Sequence, residues 1–495
     1  MAMDYNEYGE PVLRVVTSQS TLTGGHTTGA NNYFGEALAI PLVPVVQLNS
    51  YEGIKERDAQ VYQGAGGTVT EADNLINISC SSTLGSYGVY RSRRFIPYRA
   101  GETNTARLLV KFGTPQAGTQ QRAGVANQEN GYFIGFNGTS FQFLHTYGGK
   151  SEIRTLALSG TASTNQTLTV TLNGTAYTVA ILSGDTANIA AQKVRTAISD
   201  SVWLGDQVDN TVRFLSGTLG PKSGTYSLTS TGNITGTFTQ RVAGITQTDE
   251  WSDITLPSWC ISTNWNHWQF QYTWNGVNVF VLNQQTNNWY LVYRHGFDLG
   301  TVLPVSKPSF KTTSVVYNVG GSTPVTMNVA SMAGFVEGIQ ELTTYTHGGG
   351  VTKTSLSSNT YHHIMSIQNP YVADSDNWRI NFRHIKFLDL TVAGQVNDPV
   401  ELYIFYEGQL ANGAVFDYNS FPNRLYQAST TNATFNASTD TPVCALVLGL
   451  SGSQAQFDLK DYNLVLPPGA QMSLVAYSTA SIQKLTIGGV WGSIG

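Results

Sequence analysis

Polar and apolar residues alternate with a period of two along much of this chain, the pattern of half-buried β-strands. The strictest stretch is Trp268-Gln269-Phe270-Gln271-Tyr272-Thr273-Trp274, which puts four rings on one strand face. Asn275-Gly276 follows at once, a pair suited to a type I′ turn because both positions need positive φ. Residues 277–282 then return as the partner strand. The same grammar recurs in Tyr132-Phe133-Ile134-Gly135-Phe136, a turn at Asn137-Gly138, and Phe141-Gln142-Phe143-Leu144. The two aromatic hairpins, with residues 289–294 after the second, are expected to build one face of a β-sandwich over 96–155 and 248–345.

Between the hairpins the pattern changes. Residues 156–247 are poor in aromatics and rich in Thr, Ser and Gly, with strands expected at 166–172 and 176–182 around Asn173-Gly174, and again at 211–215, 225–229 and 236–239. The one convincing helix follows Asp185 or Thr186, either of which can cap it, with Ala190, Val194, Ala197 and Ile198 on one face. The aromatic pattern stops before this segment and resumes after it. It therefore reads as a small α+β module inserted into a sandwich loop whose ends lie close together.

Beyond Gly348, short strands at 400–406, 444–450, 472–477 and 484–487 with Gly, Asn and Pro punctuation predict a second, jelly-roll-like β-sandwich over 346–495. Pro467-Pro468-Gly469 makes a tight turn into its penultimate strand. Residues 1–95 are broken by Gly24-Gly25, Pro41, Pro44 and the glycines at 64, 66 and 67 into extended pieces, and read as an attachment arm. The fold class expected is mostly β: tandem antiparallel β-sandwich or jelly-roll domains with a small inserted α+β module.

Composition narrows what such a fold is for. Charged residues make up 12% of the 495 positions, about half the roughly 25% usual in soluble domains. The 21 Phe, 25 Tyr and 9 Trp are ample for packed cores and exclude disorder of the whole chain. A net charge of −5 excludes the basic footprint of a nucleic-acid-binding protein. No apolar run approaches the roughly 18 residues of a membrane span. Residues 1–7 lack the basic region and apolar core of a signal peptide, so synthesis in a cytoplasm with no membrane partner is expected. Cys80, Cys260 and Cys444 are too far apart for a disulfide scaffold or zinc knuckle and read as buried free thiols.

The candidate chemistry is sparse. His362-His363 are neighbours on an expected strand, so their side chains point to opposite faces and hold no metal jointly. No nucleophile elbow, zinc-protease motif, P-loop or dinucleotide fingerprint occurs. Paired carboxylates of a glycosidase would leave no local signature, but the expectation is that the chain is not an enzyme and takes no cofactor or metal. Six tryptophans between Trp251 and Trp289 are the sharpest anomaly. Alternate rings suit a sandwich core; Trp259 and Trp265 lie outside the alternation and are candidates for stacking on a glycan. Arg91, Arg93, Arg94 and Arg99 concentrate positive charge. They suit either an anion site or, by pairing with carboxylates, a subunit interface.

Gly131-Tyr-Phe-Ile-Gly-Phe-Asn-Gly-Thr-Ser-Phe141, running on through 148–158 and followed by Thr167–Thr175 and the Ala-rich helix, resembles a block in virion-associated β-rich proteins of large double-stranded DNA viruses, both tailed phages and giant viruses. The segment Asn328-Val-Ala-Ser-Met-Ala-Gly-Phe-Val-Glu-Gly338 resembles them too. The resemblance covers roughly residues 90–340 and implies a virion structural protein, capsid- or tail-associated, that acts through assembly contacts. It implies a homo-oligomer, most simply a trimer, with other virion proteins as partners and no catalytic residue. The alternative expectation is a receptor-binding, lectin-like module recognising host-surface glycans.

Overall fold

The structure, a computed structural model, describes residues 4–5, 11–12, 42–98, 102–198, 202–273, 276–296, 308–337 and 345–494, apart from stretches at 375–378, 382, 397, 412–413, 417, 421–426, 438–441, 450–453 and 460–463. Nearly all of it is antiparallel β. In the first unit a 7-stranded sheet faces an 8-stranded one. The first aromatic hairpin, Gly131–Asn137 and Ser140–Tyr147, lies in the former; the second, Asn266–Thr273 and Gly276–Asn283, lies in the latter. The hairpins therefore stand on opposite sides of the core, where one shared face was expected. Period-two alternation aims both sets of rings inward, and Phe141 stacks on Trp268 across the sandwich at 5.6 Å. Trp268, Phe270 and Tyr272 are fully buried, while Trp274 lies outside the described residues. In the first hairpin Asn137 pairs with Ser140, so the turn residues are Gly138-Thr139, one position later than expected.

Residues 42–95 do not form an arm. Leu42–Asn49, Ala59–Gly64, Thr68–Ala72, Leu75–Cys80 and Tyr87–Ser92 are strands of the two sheets, and Val46, Leu48, Ile76, Ile78 and Tyr90 belong to the common core. The strand that completes them is distant in sequence. Val325–Glu337 pairs with Leu42–Asn49, Leu75–Cys80 and Asn104–Lys111. Of the expected arm, residues 1–3, 6–10 and 13–41 lie outside the described residues.

The inserted module is an α+β unit of a 4-stranded and a 3-stranded sheet with one helix. It begins earlier than residue 156, because Ser151–Ser159 pairs with Thr211–Leu219 and Thr235–Val242 inside it. Tyr147 and Thr248 are partners in the sandwich sheet, so the chain leaves for the module and returns at adjacent points. Within it, Leu172 pairs with Thr175 around Asn173 and Gly174, whose φ values of 51° and 86° are those of a type I′ turn. The helix Ala187–Ala197 is capped by Thr186, whose Oγ1 accepts from the Ile189 N–H. Ala190, Ala191, Gln192 and Val194 face inward. Ala197, expected on that face, is exposed.

The C-terminal unit is a second sandwich of a 5-stranded and a 6-stranded sheet, with Ile364, Val392, Leu402, Leu474 and Trp491 between them. Its Pro467–Ala470 turn closes with the Ala470 N–H on the Pro467 carbonyl at 3.1 Å, and Gly469 takes φ 83°. That is a type II turn, with Pro468 fixing the second position and Gly supplying the third. The three cysteines are buried and free. No described helix is long and apolar enough to cross a membrane.

Candidate functional site at the meeting point of three units

The arginine cluster leads to the place where the sandwich, the module and the C-terminal unit meet. Arg91 is the penultimate residue of the strand Tyr87–Ser92, with its side chain on the face opposite buried Tyr90. There its Nε donates to Gln60 Oε1 at 3.2 Å, an Nη donates to the Tyr62 hydroxyl at 2.8 Å, and the guanidinium lies over the Tyr62 ring. Arg93, just beyond the strand, faces Glu407 of the C-terminal unit at 3.5 Å. Arg94 is half-buried, and burial lowers its pKa. Arg99 lies outside the described residues. Arg93, expected at a contact between subunits, thus pairs within the chain.

The seam beside it is polar and buried. Lys311, 3% exposed, donates from Nζ to Gln60 Oε1 at 2.9 Å and sits over the Phe95 ring. Burial, then Arg91 and Arg93, hold its ammonium well below the ordinary lysine range. The Phe95 N–H donates to His384 Nε2 of the C-terminal unit at 3.0 Å, and the two rings stack. A ring nitrogen that accepts is unprotonated, which agrees with a pKa pushed down to about 3 by burial, with Arg94 and Lys311 adding repulsion.

The module joins through Asp206. Its Oδ1 accepts from the Tyr371 N–H at 2.9 Å and its Oδ2 from the Val372 N–H at 3.0 Å, with Arg213 at 3.6 Å. Burial raises the carboxyl, and Arg213 and the two N–H donors oppose that rise. Next door, Gln207 accepts from the Tyr418 N–H and donates to the Tyr418 carbonyl, both at 3.2 Å, as an added β-strand would.

These contacts frame a cleft of about 1030 Å³. The sandwich supplies Lys55, Glu56, Arg57 and Arg93, the last turn of the module helix supplies Arg195, and the C-terminal unit supplies Tyr371, Tyr406, Glu407 and Gln409. Glu407 holds φ at 55°, a left-handed conformation disfavoured for a residue with a Cβ. Its backbone N–H donates to the Gln471 carbonyl at 3.0 Å and its carboxylate accepts from the Gln471 N–H at 3.3 Å. Tyr371 enters the cleft across Gly469; a Cβ there would stand 1.9 Å from the tyrosine ring.

The tryptophan candidates lie elsewhere, in the loop before Asn266–Thr273. Trp259 is 39% exposed and stands edge-on to Tyr290 at 5.1 Å; Trp265 is half-buried. The structure brings neither to the cleft. His362 and His363 are both buried and locally satisfied: His363 bonds the Thr431 carbonyl and Ser366 Oγ, and His362 bonds Ser357. Among the described residues no cluster of ligating side chains could hold a metal ion. Sequence reasoning missed Arg195, Asp206, Tyr371, Tyr406 and Glu407, which come from different units and share no local motif.

No family model and no curated protein matches this chain. Solved structures do. A glycosyl hydrolase family protein from Mycobacterium fortuitum matches at 10% identity and TM-score 0.30, over 59% of this chain and 99% of that one. The catalytic domain of an endo-1,3-β-glucanase (laminarinase) from Thermotoga petrophila matches at 9% identity and TM-score 0.28, over 60% and 99%. The carbohydrate recognition domain of Emp47p matches at 9% identity and TM-score 0.25, over 60% and 97%. The expectation that this chain is not an enzyme is withdrawn on the first two matches, since solved structures named as hydrolases align with it over more than half its length. At these identities and TM-scores the likeness assigns no reaction, substrate or catalytic residue to it.

Proposed function

We propose that the chain is a virion structural subunit, capsid- or tail-associated, whose task is to hold three β units in one fixed arrangement and to join copies of itself and other virion proteins. The observation that carries this reading is the seam. Arg93–Glu407, Phe95–His384, Asp206 with Tyr371 and Val372, and Gln207 with Tyr418 tie all three units together by buried or half-buried polar contacts. Such contacts specify one geometry, because any slip strands a polar group away from water. Exposed aliphatic side chains at Leu84, Val447 and Ile261, on a surface poor in charge, suit burial between subunits. Light scattering on the purified full chain and mass spectrometry of particles test the proposal. A trimer found in particles is expected; a monomer absent from them overturns it.

A second reading, adhesion to host-surface glycans, has Trp259 in its favour: an exposed ring braced by a neighbouring tyrosine is a ready stacking platform. A glycan array probed with the full chain and with Trp259→Ala separates the two. Saturable binding lost in the variant supports adhesion, and no binding removes it.

A further inference from the structure

The cleft between the three units has no role in holding them together that the seam does not already fulfil. We propose that it binds an anionic saccharide, a hydroxylated sugar carrying a carboxylate or phosphate, with Arg195 meeting the anion and Tyr406 the hydroxyls.

Charge comes first. The lining carries four cations, Lys55, Arg57, Arg93 and Arg195, against two carboxylates, Glu56 and Glu407, and three of the cations are paired: Lys55 with Glu52, Arg57 with Asp58 and Arg93 with Glu407. Arg195 has no such pair among the described residues. Its Nε donates to the Gly205 carbonyl at 3.2 Å, and its two Nη groups make no hydrogen bond among the described residues. A guanidinium anchored at Nε and free at both Nη presents the fork that carboxylates and phosphates accept.

The second observation is independent. Arg93 Nε and Tyr406 Oη lie just beneath the lining of this cleft and have no hydrogen-bond partner among the described residues. Buried polar atoms are nearly always paired, so two orphans in one cleft mark where a polar guest would be held. Glu407, next to Tyr406 in the chain and 3.5 Å from Arg93, keeps its left-handed backbone. An L-residue held in that conformation beside a cleft is the kind of local strain that accompanies binding sites.

Size and polarity set the ligand class. About 1030 Å³ is far more than a bare oxyanion fills and lies at the top of the range for small-molecule sites, about 300–1,000 Å³. The lining offers phenol hydroxyls, an amide at Gln409, guanidinium groups and the carboxylates of Glu56 and Glu407, with Val443 the one aliphatic side chain among the described lining residues. That suits a ligand rich in hydroxyls and ill suits a lipid or an apolar peptide.

The test is isothermal titration of the full chain with four probes: an oligogalacturonate, glucose 6-phosphate, a neutral cello-oligosaccharide and inorganic phosphate. Saturable binding of one of the first two, at least tenfold tighter than either control, is expected. Which of the two binds tells carboxylate from phosphate. Arg195→Gln should weaken that binding about tenfold or more, because a charge-assisted fork is lost. Tyr406→Phe should weaken it a few-fold. Neither should shift the melting temperature much, since Arg195 is near a helix end and Tyr406 loses only an unpartnered hydroxyl. Three results each overturn the proposal: no saturable binding of either acidic sugar up to about 10 mM, a Kd beyond any specific site; phosphate binding as tightly as the sugars; or full affinity in Arg195→Gln.

Discussion

Replacing Asp206 with alanine should cut the module loose from the C-terminal unit. The carboxylate is fully buried and serves two backbone donors, the Tyr371 and Val372 N–H groups at 2.9 and 3.0 Å, with Arg213 at 3.6 Å. Hydrogen bonds to a charged group contribute about 1.5–3 kcal/mol each, and removing one member of a buried ion pair costs about 3–5 kcal/mol. The same oxygens serve both roles, so the two figures overlap, and a total near 3–5 kcal/mol is expected. Asp206→Asn should recover little of this, because its NH₂ would point at one of the two N–H donors. Urea denaturation followed both by tryptophan fluorescence, which includes buried Trp203 in the module, and by far-ultraviolet circular dichroism reads the effect. Coincident transitions should separate in the variant. Adding Arg213→Met to Asp206→Ala should restore part of the loss, since the buried guanidinium leaves with its partner. A variant within about 1 kcal/mol of wild type, or strictly additive single and double variants, would refute the assignment of this pair as the tie between units.

Acid should weaken the fold through its buried histidines. His384 and His145 are held down to about 3 and His363 to about 4 by burial, against an ordinary value of 6.5. Below pH 6.5 the unfolded chain takes up protons that the folded chain refuses, so this stability is complete above 6.5 and is lost between there and the folded values. The loss is about 1.4 kcal/mol per pH unit for each histidine. Asp206 and Glu407, raised by burial, act with the opposite sign. The informative quantity is thus the slope of stability against pH in His384→Gln compared with wild type, and equal slopes would sink the idea. Gly469→Ala should destabilise the C-terminal unit by a few kcal/mol, because the new Cβ would meet Tyr371 at 1.9 Å on a backbone with φ 83°. An unchanged melting curve would argue against that packing. Arg93→Glu should weaken docking of the C-terminal unit by setting two carboxylates face to face, which limited proteolysis would report as earlier cleavage between the units.

The local grammar was readable wherever neighbouring residues close on one another. Asn173-Gly174 demanded its turn, Thr186 its helix cap, and Trp268, Phe270 and Tyr272 their inward face. What failed depended on chain far away. Leu75–Cys80 alternates perfectly between half-buried and buried, yet one of its two partners, Val325–Glu337, lies on the other side of the module, so the segment by itself shows no core. Alternation says which residues point inward and nothing about which sheet they come from, so two hairpins on opposite sheets read as one face. The cleft was hidden for the same reason. Glu407 and Arg195 become neighbours only after three units dock, and one glutamate after an apolar strand carries no signal by itself.

The strand Val325–Glu337 sits in the middle of its sheet, between strands from the first 111 residues of the chain. On the ribosome this imposes an order of events. At about 5–20 residues per second, the early strands wait tens of seconds for their central partner, with edges and apolar faces open. The module, whose strands all lie between Ser151 and Val242, is complete well before that. It is therefore the first unit able to fold, and the sandwich that carries it in space is assembled around it in time. Substitutions on the waiting strands should show themselves first as lost yield through aggregation during synthesis, before any change in the finished protein.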